Sequence, residues 1–247
     1  MTTKILFPLC LLAILVCSCQ PRQLNILTYN VHHCVGLDKK QNYERIAKII
    51  NHASPDVVAL QELDSLTQRS NGACDIDSLQ RLTNMHAIYA AAIPYQGGSY
   101  GIGILSKEKA IGYQIIPMPG REEKRTMIVA EYKNYVFCCT HQSLTAEDQS
   151  LSVRHILEAL KGIEKPIFLA GDMNSHPIDT PQELLRNSFI TLSDTANHTF
   201  PANQPNRCID YIYAYSRNGY YFKVRKKEVI ADTIASDHRP VQVIVEF

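Results

Sequence analysis

The sequence has no internal repeat, no low-complexity segment and no linker that would separate two domains. A repeat architecture is therefore excluded, and one domain is the simplest organisation for a chain of 247 residues. Glycine and proline are ordinary in number, at 11 and 12, and 45% of the residues are hydrophobic. This composition indicates a globular protein and excludes a disordered one.

The chain also lacks an excess of charge of either sign. It has 25 basic and 24 acidic residues, and Lys4 is the one charge in the first 19 residues, so the two signs balance beyond that segment. Non-specific DNA binding depends on lysine and arginine side chains that neutralise phosphates. The balance, together with the lack of a basic arm, argues against a nuclease that scavenges DNA. A small polar substrate needs no such positive field.

A long apolar run is missing too. Residues 5–16 are almost wholly apolar, but the run is too short to span a bilayer comfortably and small residues follow it, which is the layout of a signal peptide. The letters VCSC at positions 16–19 resemble a bacterial lipobox, with cleavage before Cys19 and lipid on its sulfur. A plain signal peptide or a short membrane anchor would also fit this stretch. We expect an exported, membrane-anchored lipoprotein that faces the periplasm or the cell surface, with one domain over residues 20–247.

Cysteine pairs of the CxxC type are absent. Five cysteines lie beyond Cys19, at positions 34, 74, 138, 139 and 208. An exported protein can form disulfides, but the pairing cannot be read from sequence and the count is odd. Cys138 and Cys139 lie in an apolar run, so we expect both to be small core residues.

Hydrophobic patterns predict strands that alternate with a few helices. Strands are predicted over residues 24–29, 57–61, 87–93, 102–106, 127–132, 135–140, 167–170, 208–213 and 241–247, and helices over 42–53, 77–85, 145–161 and from 180. Asp77 is the expected cap of the second helix, and Thr145 with Asp148 forms the expected capping box of the third. Thr180 is the expected cap of the last, with Pro181 at its first position.

Polar side chains recur where apolar strands end. In IFLAGDMNS, at positions 167–175, Asp172 and Asn174 are two residues apart and would point the same way. A simple turn would explain this stretch alone, but other strands end in the same manner. The residues placed in this way are Asn30, Glu62, His141, Asp172, Asn174, Asp210, Asp237 and His238. Four acids, two amides and two histidines suit a hard, oxygen-ligated cation, and the absence of cysteine argues against structural zinc.

Two other patterns suggest different sites. His32 and His33 look like a metal-binding pair, but adjacent residues on a strand point to opposite faces, so we do not expect them to share a metal. Residues 97–101 read GGSYG and match the GxSxG elbow of serine hydrolases around Ser99. That elbow needs a helix after it, whereas residues 102–106 read as a strand.

Seven short motifs together resemble one known group of enzymes. They are TYN at 28–30, QE at 61–62, YG at 100–101, TH at 140–141, GDMN at 171–174, IDYI at 209–212 and SDHRP at 236–240. In this order they resemble the endonuclease/exonuclease/phosphatase superfamily, which includes DNase I-like nucleases, abasic-site endonucleases, sphingomyelinases and inositol polyphosphate phosphatases. The resemblance covers about residues 24–247.

The resemblance implies an α/β fold of four layers, an α/β/β/α sandwich in which two mixed β-sheets pack face to face with helices outside. It also implies Mg²⁺- or Mn²⁺-dependent hydrolysis of a phosphoester. Carried over to this sequence, Glu62 would be the principal metal ligand, with Asn30 and Asp237 nearby.

The same resemblance implies roles for the remaining polar residues. Asp210 would hold and charge His238, which would contact the phosphate, and Asp172 would orient or deprotonate the attacking water. Which residue acts as base and which as acid is left open. Three further side chains would lie at the phosphate oxygens: His141, Asn174 and Tyr100.

We therefore expect a monomeric metal-dependent phosphodiesterase or phosphatase that acts on a small-molecule or lipid phosphoester. An exported endonuclease or exonuclease, with nucleic acid as the partner, is the second hypothesis. A serine hydrolase that uses Ser99 and a binding module without activity are weaker hypotheses. The membrane would be a partner only through the lipid on Cys19.

Overall fold

Two six-stranded sheets organise the part of the chain that the structure describes. The computed structural model describes residues 21–247, so the predicted signal peptide and Cys19 lie outside the described residues. The first sheet contains, in spatial order, β11 (Lys223–Val229), β12 (Val241–Glu246), β1 (Gln23–Asn30), β2 (Val57–Ser65), β4 (Gly98–Ser106) and β3 (His86–Tyr95). Strands β1 and β2 run parallel, and the other neighbours are antiparallel.

The second sheet is mixed in the same way. It contains, in spatial order, β5 (Gly112–Met118), β6 (Arg125–Glu131), β7 (Val136–His141), β8 (Ile167–Asp172), β10 (Asp210–Tyr215) and β9 (Phe189–Thr191). Strands β7 and β8 are its parallel pair. Strands β5, β9 and β11 were not predicted from the hydrophobic pattern.

Four helices cover the outer faces of the sheets. They are α1 (Tyr43–Ala53), α2 (Asp75–Thr83), α3 (Ala146–Ala159) and α4 (Thr180–Arg186). Ile46 and Ile76, on α1 and α2, are buried with residues of the first sheet. Ile156 and Leu185, on α3 and α4, are buried with residues of the second. The fold is therefore the predicted four-layer α/β/β/α sandwich.

The core between the two sheets is apolar. Ile26 and Val243 from the first sheet are buried in one cluster with Phe137 and Phe168 from the second. The ring of Phe168 meets the ring of Phe247 edge to face, with centroids 5.3 Å apart. Aromatic pairs of this geometry add to the free energy gained from burial alone. This core fixes how the two sheets sit against each other.

Tertiary partners replace the expected caps of α2 and α3. Helix α2 begins after Cys74, so Asp77 lies inside its first turn and does not cap it. Thr145 makes no cap hydrogen bond, because its hydroxyl donates to Glu122 (3.0 Å). Asp148 accepts instead from the guanidinium of Arg121 (3.0 and 3.1 Å). The predicted capping box is therefore wrong.

The start of α4 also differs by one residue. Asp179 is its N-cap residue, Thr180 is the first helical residue, and proline stands in the first turn as expected. The side chain of Asp179 bonds within the preceding loop, since it accepts the backbone N–H of His176 (2.7 Å). The element was correctly predicted and its cap was not.

The five cysteines of the described residues are free thiols, and Cys138 and Cys139 are buried in the core as expected. Among residues 21–247, no helix combines the length and the apolar character needed to cross a membrane.

Candidate active site

Strand pairing brings the polar strand ends to one end of the sandwich. Asn30 ends β1, and Glu62 lies on its parallel neighbour β2. In the second sheet His141 ends β7 beside Asp172, which ends the parallel strand β8. Asp210 begins the antiparallel strand β10, directly opposite Asp172. Residues far apart in sequence therefore share one edge of both sheets.

The amide of Asn30 joins the two sheets at this end. Its Nδ2 donates to Oε1 of Glu62 (3.0 Å) and to Oδ2 of Asp172 (3.1 Å). Its Oδ1 accepts the backbone N–H of His32 (3.2 Å), which fixes the orientation of the amide. Both hydrogens of Nδ2 are thus used, and each holds one carboxylate oxygen in place.

His238 is a buried imidazole held by a carboxylate. Its Nδ1 donates to Oδ2 of Asp210 (2.9 Å), and its ring lies 4.7 Å from the ring of Phe200. Burial by itself lowers the pKa of His238, but the carboxylates of Asp210 and Asp172 outweigh burial and raise the pKa to about 10. The ring is therefore a cation at neutral pH. Its Nε2 lies 3.7 Å from Oδ2 of Asp172 and 3.4 Å from Nδ2 of Asn30. Because the hydrogens of that amide go to carboxylates, the Nε2–H is left available as a donor.

Asp172 lies at the centre of the arrangement. Burial, and then the negative charge of Asp210, raises its pKa to about 7, although His238 and the donors Asn174 and Asn30 act in the opposite direction. The backbone N–H of Asn174 donates to Oδ1 of Asp172 (2.9 Å). A carboxylate with a pKa close to neutrality is suited to orient water and accept its proton.

His141 is neutral and close to the same carboxylate. Its Nε2 lies 3.6 Å from Oδ2 of Asp172. Burial, reinforced by the positive charges of Arg125 and His238, lowers the pKa of His141 well below its usual value. A neutral ring in this position can donate a hydrogen bond but adds no charge.

Asn174 and Asp237 lie on loops beside the strand ends. The Nδ2 of Asn174 donates to the carbonyl of Gln142 (3.0 Å), and the residue has φ +50°, a left-handed conformation that asparagine tolerates. Oδ1 of Asp237 lies 3.4 Å from the hydroxyl of Ser236, which donates to the carbonyl of Asn30 (2.7 Å). Ser236 thus ties the loop of Asp237 to the end of β1.

The donor chemistry fits a hard divalent cation. Glu62 and Asp237 offer carboxylate oxygens and Asn30 an amide oxygen, the types of ligand that Mg²⁺ and Mn²⁺ accept. Glu62 is half-buried, and only its Oε1 is bonded within the described residues, to Asn30. The assignment of these three residues as ligands stays a prediction, and the structure brings them to the same end of the fold.

A cavity of about 160 Å³ opens beside Glu62. Tyr100 and Tyr95 line it, and the guanidinium of Arg69 lies over both rings, 4.5 Å from the centroid of Tyr95 and 5.5 Å from that of Tyr100. Arg69 is itself held by the buried carboxylate of Asp64, with two contacts of 2.6 and 2.8 Å. The wall of this cavity is therefore aromatic and carries one guanidinium, and the carboxylates of Glu62 and Glu123 also line it.

The structure gives His32 and His33 a different geometry from the strand that was assumed for them in the sequence. The strand ends at Asn30, and His32–Cys34 form a short turn in which all three residues have positive φ, so strand alternation does not apply. The two rings lie on the same side, with centroids 4.3 Å apart. One ring nitrogen of each lies within 4.8 Å of a carboxylate oxygen of Glu62. Burial, then the charge of Arg69, lowers the pKa of His33 to about 4, so its ring is neutral.

Some supporting residues could not be found from the sequence. Phe200 packs against the ring of His238, and a lone phenylalanine carries no sequence signal for that task. Ser236 belongs to the SDHRP motif, but its bond to the carbonyl of Asn30 could not be read from that motif. Arg125, a further charged residue near the site, is only 7% exposed and is paired with Glu123 (3.0 Å).

Ser99 does not sit in a nucleophile elbow. It lies near the start of β4, and the chain continues as a strand to Ser106 without a helix. Its hydroxyl is hydrogen-bonded to the phenol of Tyr89 (3.1 Å). The structural context that the GxSxG motif requires is therefore missing at this position.

Comparisons with known proteins identify one family. The model of the endonuclease/exonuclease/phosphatase family matches residues 27–238. No curated protein matches the sequence. Among solved structures, an endonuclease/exonuclease/phosphatase from Beutenbergia cavernae DSM 12333 superposes with a TM-score of 0.72 at 22% identity, over 92% of this chain and 72% of that one.

Two further structures come from Bacteroides. An endonuclease/exonuclease/phosphatase from Bacteroides vulgatus has a TM-score of 0.75 at 17% identity, over 92% of this chain and 99% of that one. A mannosyl-6-phosphatase from Bacteroides thetaiotaomicron VPI-5482 has a TM-score of 0.72 at 17% identity, over 91% of this chain and 100% of that one. At these identities the structures show a common fold.

Proposed function

This chain belongs to the endonuclease/exonuclease/phosphatase family, and we propose that it hydrolyses phosphoester bonds with the help of a divalent metal ion. The observation that carries the proposal is the connected set of buried groups at the strand ends. Glu62 and Asp172 are both held by Asn30, and His238 is held by Asp210. Burying these charges together is costly unless they are paired, and sites of this kind concentrate catalytic groups.

Each residue has a task in attack by water on phosphorus. Asp172 orients the water and accepts its proton, because its pKa lies near neutrality. His238, charged by Asp210, donates from Nε2 to a phosphoryl oxygen. Glu62, with Asn30 and Asp237, would hold the Mg²⁺ or Mn²⁺. When bound, that ion stabilises the negative charge on the phosphoryl and leaving oxygens.

The substrate that we propose is a small-molecule or lipid phosphoester. The cavity beside Glu62 is small, about 160 Å³, and Arg69 with two tyrosines forms its wall. Such a wall suits a compact polar group next to a phosphate, and one protein of similar fold is a mannosyl-6-phosphatase. The balanced charge of the chain also favours a small substrate over duplex DNA.

The first test is hydrolysis of bis-(p-nitrophenyl) phosphate by the purified protein with Mg²⁺ or Mn²⁺, and then with excess EDTA. We expect activity that EDTA abolishes and added metal restores. We also expect Asp172→Ala to lower kcat by about 10²- to 10⁴-fold, the usual range for an acid–base group.

Two results would contradict the proposal. One is activity that is indifferent to EDTA, which would restore the serine-hydrolase hypothesis based on Ser99. The other is near-normal turnover of Asp172→Ala on a substrate that the wild type hydrolyses. A matched control is Asp194→Ala, since within residues 21–247 the side chain of Asp194 accepts hydrogen bonds only from Ala196 and Asn197 of its own loop. Its kcat should equal that of the wild type.

A further inference from the structure

We infer that His32, His33 and Glu62 form a second cation site, which prefers a transition metal such as Zn²⁺, Mn²⁺ or Co²⁺ to Mg²⁺. The inference goes beyond the proposed function, which requires only the oxygen-ligated cation. It rests on the proposed function only in that Glu62 serves both sites.

The backbone turns in order to bring the two rings together. His32, His33 and Cys34 have φ values of +46°, +42° and +58°, which side chains other than glycine rarely adopt. Backbone hydrogen bonds hold these three consecutive residues in the left-handed conformation. The N–H of Cys34 donates to the carbonyl of Val31 (2.8 Å), and the carbonyl of Cys34 accepts from Asn42 (2.8 Å). Strained backbone of this kind concentrates at functional sites.

Glu62 also has an unusual backbone conformation, which brings its side chain close to the two rings. Its φ is +60°, and it lies where the pairing of β2 with β4 shifts register between Leu60 and Leu63. An extra residue in a strand re-aims the side chain there. As a result one carboxylate oxygen and one ring nitrogen from each histidine lie within 4.8 Å of one another.

The hydrogen bonds leave ligand atoms available on each residue. Nδ1 of His32 donates to the carbonyl of Val35 (3.0 Å), which places the proton on Nδ1 and the lone pair on Nε2. Histidines that bind metals are oriented by a bond of this kind on the other nitrogen. Nδ1 of His33 is buried and has no partner within the described residues, although a buried polar atom without a partner is unfavourable.

The donor set decides which cation fits. Two imidazole nitrogens and one carboxylate suit zinc and the divalent transition metals, whereas Mg²⁺ takes oxygen ligands and keeps several waters. Because a carboxylate has two oxygens, Glu62 can serve this site while its Oε1 remains bonded to Asn30. Paired cations about 3.5–4 Å apart are a known arrangement in phosphoester hydrolysis.

The test measures the binding of Co²⁺ to the metal-free protein in the presence of excess Mg²⁺. Equilibrium dialysis and the visible absorption of the bound ion are the two readouts. Excess Mg²⁺ fills oxygen-only sites, so the Co²⁺ that still binds reports the histidines. We expect the wild type to retain one Co²⁺ per chain. His33→Asn should bind it at least about 100-fold more weakly. Asparagine tolerates the left-handed backbone, which protects the fold of the variant.

A matched control and a second variant make the result decisive. His155→Asn changes an exposed histidine on α3 and should bind Co²⁺ like the wild type. His32→Asn should reproduce the loss seen in His33→Asn. The inference is overturned if excess Mg²⁺ removes all Co²⁺ from the wild type, or if His33→Asn binds like the wild type. No substrate is present, so this outcome is independent of whether hydrolysis is found.

Discussion

At the scale of single residues, the site works by giving neighbouring groups different charges. His238 and His141 both lie within 4 Å of Asp172, yet the first ring is charged and the second is neutral at pH 7. The difference follows from Asp210, which bonds to His238 and has no counterpart at His141. When the environment pushes the pKa values of two neighbouring titratable groups apart, the separation indicates which group acts as the acid and which as the base.

The charge on His238 gives a prediction that can be tested in the metal-free protein. In Asp210→Asn the carboxylate that bonds to His238 is replaced by a neutral amide of the same shape. We expect the pKa of His238 to fall from about 10 toward or below its ordinary value of 6.5, as followed by NMR of the imidazole. Asp194→Asn, on an exposed loop, should leave the titration of His238 unchanged.

The same prediction has a consequence for stability. Because the folded-state pKa of His238 lies above the unfolded value of 6.5, its contribution to stability is complete below pH 6.5 and is lost as pH rises toward 10. The difference in free energy of unfolding between wild type and Asp210→Asn should therefore shrink over this range. A difference that stays constant from pH 6 to pH 10, measured by urea unfolding, would contradict the role of Asp210.

At the scale of elements, the site depends on how closely β7 and β8 approach at their ends. A Cβ atom on Gly171 would lie 2.0 Å from the carbonyl oxygen of Thr140, so only glycine fits beside the neighbouring strand. Gly171 directly precedes Asp172, and Thr140 directly precedes His141. The close contact therefore sets the positions of both polar side chains.

We expect Gly171→Ala to destabilise the protein by about 3 kcal/mol, because the backbone must move apart to admit a methyl group. Urea unfolding measures the loss, and kcat should fall even in the folded fraction because Asp172 and His141 shift. Gly112→Ala is the matched control, since a Cβ atom at Gly112 would have no neighbour within 4 Å. If Gly171→Ala and Gly112→Ala are both as stable as the wild type, the close approach of Gly171 to Thr140 does not contribute to stability.

The elements that were missed in the sequence share one physical property. Strands β5 and β11 lie at sheet edges and expose most of their side chains, and β11 reads KVRKKEV. Charged side chains at an edge prevent pairing with other chains, and in β11 they also hide the strand from hydrophobic patterns. Strand β5 has no charged residue, and its exposed face removes the alternation that marks a half-buried strand. The capping box failed for another reason, because Glu122 and Arg121 are distant partners that no local pattern contains.

The candidate site was easier to predict than these edges. Its polar residues follow buried strands, so Asn30 and Asp172 stand out against apolar neighbours. The placement of His32 and His33 could not be predicted, since it depends on three consecutive left-handed residues after the strand. The contact between Asn30 and Asp172 could not be predicted either, because it joins residues of two different sheets.

At the scale of the whole molecule, one strand, β1, leads from the N-terminal end of the described chain to the candidate site. We propose, as the sequence suggests, that lipid on Cys19 tethers the protein to a membrane. Cys19→Ser should then move the protein from the membrane fraction to the soluble fraction and leave kcat unchanged, as checked by fractionation and assay. Cys74→Ser, at a half-buried thiol within the domain, should stay with the membrane. A Cys19→Ser protein that stays in the membrane fraction would contradict the lipid anchor.

The direction of β1 has a consequence for what the enzyme can reach. The strand starts at Gln23, four residues after Cys19, and ends at Asn30 in the site. The strand has eight residues, and its seven steps of about 3.3 Å place these ends roughly 23 Å apart. If Cys19 carries the proposed lipid, a short tether at that end of β1 would leave the opposite end, with the candidate site, facing the surrounding fluid. Such a geometry suits small molecules that arrive by diffusion. Among lipid phosphoesters it favours those that come from elsewhere over headgroups in the protein's own bilayer.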